Sequence, residues 1–171
     1  MTGMRILLSG CWDEKYAGNA THALLSEYER HALRDVATLV LHRPPVWALD
    51  QAKRAGRFEV LGWVESYHAL MNSIDVQIFP IAIGTGTKGK VLSAMSAGCI
   101  CIGTPYAFSN ISPRPSPPHY RYASPLHGLD HLSGLHTRVD ASKQEALNYA
   151  KQLLAEHNPA GVIGKMWGRM A

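Results

Sequence analysis

The sequence predicts an α/β protein built on a doubly wound parallel sheet with flanking helices. Three observations predict it. Five short apolar runs recur along the chain, at Met4–Ser9, Val36–His42, Phe58–Val64, Val76–Pro80 and Cys99–Gly103. Segments with helical spacing or capping residues lie between them, giving a β-α-β-α-β-α-β-α-β order. A Gly/Thr turn, Gly84–Thr87, leaves the end of the fourth run and opens a helix. That is a strand–loop–helix–strand unit of the kind that builds parallel sheets.

Met4–Ser9 reads as the first strand and Cys11–Asn19 as a polar loop. Apolar spacing at Ala23, Leu24, Tyr28 and Leu33 predicts a helix from about Asn19 to Leu33, capped by Asn19 or Thr21. Val36–His42 is the second strand, ended by Arg43-Pro44-Pro45, and Val46–Ala55 is a short helix stopping near Gly56. After the third strand, Ser66 caps a helix through about Ser73, with Tyr67, Leu70 and Met71 on one face. The helix after the Gly/Thr turn runs from about Lys88 to Ala97 and stops at Gly98.

The segment Tyr106–Leu132 breaks this rhythm. It holds five prolines, at 113, 115, 117, 118 and 125, interleaved with Arg114, His119, Arg121 and His127. Proline at this density argues against helix and central strand, so a long irregular loop is expected, functional or merely an excursion. Leu135–Val139 reads as a last short edge strand. Ala141–His157 reads as an amphipathic helix with Ala146, Leu147, Ala150, Leu153 and Leu154 inward. The tail Ala160–Ala171 carries Val162, Ile163, Met166, Trp167 and Met170, which either pack back on the domain or present an apolar stripe to a partner. A length of 171 residues, 46% of them hydrophobic, makes one domain over 1–171 the default.

Composition excludes several classes. The formal charge of +4 is too small and too scattered to argue for nucleic acid, though it suits a phosphorylated ligand. No apolar run is long enough for a transmembrane segment, and no signal-peptide pattern is present. Three cysteines without framework spacing read as reduced thiols in a cytoplasmic protein, with Cys99 and Cys101 packed on one face of a strand. The nine histidines show no metal-ligand spacing, so no metal is expected. There is no GxGxxG after the first strand, where the chain reads Ser9-Gly10-Cys11-Trp12, and no P-loop.

The chemistry concentrates at the Gly/Thr turn. Gly84, Gly86 and Gly89 let backbone approach a ligand closely, Thr85 and Thr87 add hydroxyls, and Thr87 is a fair N-cap. Lys88 and Lys90 then fall in the first helical turn, where the helix already carries about half a positive charge. Two cations there oppose the dipole unless an anion lies between them, and a phosphate or diphosphate fits. The alternative is two solvated lysines on a surface helix.

The run VQIFPIAIGTGTKGKVLSAMSAGCICIGTP, with FEVLGWVES and NSIDVQIFP before it and RILLSGCW at the start, resembles the carboxyl-terminal, donor-binding half of retaining GT-B glycosyltransferases of the group 1, family 4-like kind. The resemblance covers roughly residues 4 to 105. It implies a Rossmann-like domain that binds a nucleoside-diphosphate sugar as substrate, with no cofactor and no required divalent ion from this half. Gly84, Thr85, Gly86 and Thr87 match the loop that approaches the donor's sugar and phosphates. Lys88 matches the loop lysine, Lys90 follows it, and Gly10 matches backbone facing the donor, with Lys15 nearby. The base is expected around Gly62–Val64. Of two family glutamates eight positions apart, the first is Thr85 here. The second, which accepts hydrogen bonds from the ribose, is Ser93, a shorter and neutral acceptor.

The resemblance also implies an acceptor-binding half. It is expected on a separate subunit, on a longer parent chain, through homo-oligomer contacts, or lost in a non-catalytic nucleotide-binding or protein-interaction relic. A nucleotide-sugar epimerase or dehydrogenase is disfavoured by the missing fingerprint.

Overall fold

The computed structural model describes residues 3–17, 19–83, 88–111 and 114–157. Six parallel strands form one sheet in the order β3-β2-β1-β4-β5-β6. The central β1 (Met4–Ser9) pairs with β2 (Ala37–His42) along its whole length, Met4 opposite Ala37 and Ser9 opposite His42. β3 (Phe58–Leu61) extends that side, while β4 (Val76–Phe79), β5 (Ile100–Gly103) and β6 (Tyr120–Arg121) extend the other. The winding reverses between β1 and β4, which makes this the Rossmann-like topology expected from the sequence.

Both faces are covered. Side chains alternate along each strand, so Ile6 and Leu8 of β1 face one layer and Leu7 faces the other. The first layer contains α2 (Ala20–Arg30), α3 (Leu33–Val36), α4 (Val46–Arg54) and α7 (Pro125–His136), contributing Leu24, Leu25, Leu33, Ala48, Leu129 and Leu132. The second contains α5 (Tyr67–Asn72), α6 (Gly89–Ser96) and α8 (Val139–His157), contributing Met71, Val91, Met95, Tyr149 and Leu153. Double coverage explains why β1, β2, β4 and β5 read as near-continuous apolar runs. Fully burying a side chain such as Met71 contributes about 2 kcal/mol. That outweighs the poor intrinsic stability of the six-residue α5, so packing holds it.

Asp75 ties the amino ends of the strands together. One carboxylate oxygen accepts the Arg5 N–H at 2.8 Å and the other accepts Lys143 Nζ at 3.0 Å, joining β1, the start of β4 and α8.

The structure corrects several expectations. Leu135–Val139 is not a strand: α7 runs to His136, Arg138 N–H bonds Leu135 O, and Val139 opens α8. The Pro-rich segment is not irregular throughout. It forms the two-residue edge strand β6, and Pro125 sits in the first turn of α7, where its missing N–H costs nothing. The polar loop after β1 contains a one-turn helix, α1 (Glu14–Ala17). Neither expected cap acts on α2: Asn19 holds the N-cap position without a side-chain bond, and the Thr21 hydroxyl donates instead to Cys11 O. Ser66 does cap α5, accepting from Ala69 N–H at 3.2 Å. Cys99 and Cys101 are both buried in the second layer. The tail Ala160–Ala171 lies outside the described residues.

Candidate functional site

The carboxyl ends of β1 and β4 meet at the reversal of winding, where open α/β sheets leave a crevice. β1 ends at Ser9, and Gly10 follows with φ of 68°, a left-handed turn that glycine adopts without strain. The first turn of α6 faces it. Lys88 holds the N-cap position in extended conformation, and its carbonyl accepts Leu92 N–H. Lys90 reaches across the crevice until its ammonium lies against Gly10, in the space a Cβ there would need. The same ammonium stands over the Tyr67 ring, 5.6 Å from its centroid. Lys90 forms no ion pair with any described residue.

The surroundings are polar and tightly held. Ser9 Oγ and His42 Nδ1 lie 2.8 Å apart at paired positions of β1 and β2. Burial, then the Lys90 and Arg43 cations, lower the His42 pKa, which favours a neutral imidazole. Trp12 Nε1 donates to His42 O at 2.9 Å. The Tyr67 hydroxyl donates to Gln77 Oε1 at 2.9 Å, and burial pushes its pKa up to about 12. Beside the crevice, Tyr16 O accepts the N–H groups of Ala82, at 2.8 Å, and Ile83, at 3.3 Å, so the segments following β1 and β4 share one carbonyl. An open cavity of about 460 Å³ adjoins them, lined by Asn19, Ile81, Thr104, Pro105 and Tyr122 among others.

The structure therefore brings Gly10 and Lys90 together and sets Lys88 at the start of the same helix. Ser93 lies on α6 with its side chain exposed, one turn beyond Lys90. Lys15 is exposed in α1, its ammonium 5.9 Å from the Tyr16 ring centroid. Gly84, Thr85, Gly86 and Thr87 lie outside the described residues. At the end of β3, Trp63 is 82% exposed, and a Cβ at Gly62 would meet nothing within 4 Å. Sequence reasoning missed His42 and Tyr67 as neighbours of the basic helix start. A signal existed for His42, since it ends a predicted parallel strand on the ligand side. Among the described residues, no group of three or more His, Cys, Asp or Glu is gathered for a metal. No described helix is long and apolar enough to cross a membrane.

Sheet order, reversal point and crevice define a Rossmann-like α/β domain. Its sequence places it further: the chain belongs to the glycosyl transferases group 1 family, whose model matches residues 19–113. Among curated proteins, none matches the sequence. Solved structures similar to the chain include the catalytic domain of cholesterol-alpha-glucosyltransferase from Helicobacter pylori. The TM-score is 0.69 at 13% identity, covering 91% of this chain and 99% of that one. The pneumococcal O-GlcNAc transferase GtfA in complex with UDP and GlcNAc aligns over 99% of this chain and 35% of its own, with TM-score 0.67 and 12% identity. Anabaena Alr3699/HepE in complex with UDP and glucose aligns over 99% of this chain and 48% of its own, with TM-score 0.64 and 11% identity. The chain thus spans less than half the length of the latter two. These similarities agree with the resemblance to the carboxyl-terminal half of a GT-B glycosyltransferase.

Proposed function

We propose that this domain binds the nucleoside-diphosphate sugar donor of a glycosyltransferase and works with an acceptor-binding half supplied by further chain or by a partner. The observation that carries the reading is the Lys90 ammonium set against the Gly10 backbone at the reversal point, beside the start of α6. A diphosphate there meets Lys88, Lys90 and the free N–H groups of the helix. Trp63 offers an exposed aromatic face for the base.

In the transfer, the bond from the anomeric carbon to the diphosphate oxygen breaks, a bond to an acceptor oxygen forms, and that oxygen's proton passes to the departing diphosphate. The electron pair leaves with the diphosphate. Lys88, Lys90 and the α6 amides stabilise that developing charge. A retaining outcome and a cytoplasmic setting belong to the same proposal.

Calorimetry with UDP, GDP and ADP tests it. At least one binds, and Lys90→Ala weakens that binding about tenfold, roughly 1.4 kcal/mol. Lys88→Ala acts in the same direction. No heat from any of the three at millimolar nucleotide overturns the reading. Ser93 favours a second reading, a nucleotide-binding relic without transfer, because no carboxylate stands at the position that grips the ribose in the family. Binding of UDP without hydrolysis or transfer from any UDP-sugar, even with a candidate acceptor half present, selects it.

A further inference from the structure

At the outer edge of the sheet lies a partly open cavity of about 330 Å³ whose lining includes Phe108, Ile111, Arg114, Pro115, His119 and Arg121. Among the described residues Tyr120 completes the lining, and none of them brings a carboxylate to it. His119 is 5% exposed and stands edge-on to Tyr149, ring centroids 4.7 Å apart. The Cys101 N–H donates to its Nδ1 at 3.0 Å. Nδ1 is therefore the lone-pair nitrogen, and in the neutral ring the proton sits on Nε2. Burial holds the ring neutral, with a pKa lowered to about 4. Nε2–H is thus a buried donor, and it has no hydrogen-bond partner among the described residues. Nδ1 is turned to β5, and His119 itself lines the cavity. A buried donor left unmet is costly and calls for an acceptor.

Arg114 and Arg121 add the charge. Both are exposed, and neither is ion-paired or hydrogen-bonded to any described residue. Two guanidiniums without described partners line one cavity with His119, and guanidinium forks match planar or tetrahedral oxyanions. We propose that this edge cavity is a second binding site, for a compact oxyanion, either a phosphate or a carboxylate group. Arg114 and Arg121 grip it, and a small turn of the His119 ring brings its Nε2–H to the guest as the third donor. β1 and β6 stand three strand spacings apart, about 14 Å, so this site is separate from the Gly10–Lys90 crevice and does not depend on the glycosyltransferase reading.

Nuclear magnetic resonance of the full ¹⁵N-labelled chain tests it, titrating inorganic phosphate and, separately, acetate at fixed ionic strength. The expected result is a saturable shift of the His119 ring nitrogens with at least one of the two anions. The anion that saturates identifies the group. The double variant Arg114→Gln, Arg121→Gln changes exposed residues only and leaves the spectrum of the core intact. It weakens the saturable shift at least tenfold. Shifts that rise linearly without saturation, that survive the double variant unchanged, or that fall only at Gly10, Lys88 and Lys90 overturn the edge site. The last of these leaves the donor reading standing. A UDP titration that moves Lys90 but not His119 keeps the two sites apart.

Discussion

The Lys90 ammonium fills the space that a side chain on Gly10 would occupy. The carboxyl end of β1 and the first turn of α6 are thereby fitted to each other, although 80 positions separate them in sequence. Gly10→Ala disturbs both partners. An alanine at a φ of 68° costs roughly 1–2 kcal/mol, and its Cβ turns the flexible Lys90 side chain aside. Urea unfolding should show that loss. Calorimetry should show weaker UDP binding than in the parent protein, because the displaced cation no longer faces the crevice.

Restoring a carboxylate on α6 should strengthen nucleotide binding. Ser93 is exposed, so Ser93→Glu removes no packing. A charged acceptor for two ribose hydroxyls raises UDP affinity about tenfold, roughly 1.4 kcal/mol. The thermal midpoint should stay unchanged. Unchanged affinity would place the ribose away from α6.

Stability should fall on mild acidification. His119 titrates near 4 in the folded chain against 6.5 in the unfolded one. Between those values the unfolded chain binds more protons, so unfolding becomes easier as pH falls. The contribution is complete above about 6.5 and is lost by about 4, amounting to about 3 kcal/mol. His42 and His131, both lowered by burial, act in the same direction. His119→Gln keeps an acceptor for the Cys101 N–H and removes the titration. Urea midpoints measured across this window should therefore fall less steeply in the variant.

The fold was legible wherever burial on two faces wrote itself into composition. β1, β2, β4 and β5 are apolar because helices cover both sides, and a one-dimensional reading finds such runs. β6 was illegible for the opposite reason. It is two residues long, at an edge, and enclosed by proline. Leu135 and Val139 mimicked an edge strand because a helix end and the next helix start place apolar residues close together there. The Ser124-Pro125 pair did hold a readable signal for α7, a cap followed by a first-turn proline, and proline density masked it.

The basic helix start was legible because two lysines violate the dipole rule within three residues. Its partners were not, because Gly10, His42 and Tyr67 come from three distant segments that only the sheet order brings together. His119 stood in the sequence as one more loop histidine. Its tautomer is set by a main-chain N–H on a neighbouring strand, which no local pattern encodes.

The carbonyl of Tyr16 serves two amides from the segment after β4. Whatever pulls Ile83 toward a guest in the crevice must also tug on α1, and release of the guest must loosen both at once. Deuterium uptake at Ala82 and Ile83 is therefore a gauge of α1 as much as of their own segment, and the two should slow in step when UDP is added.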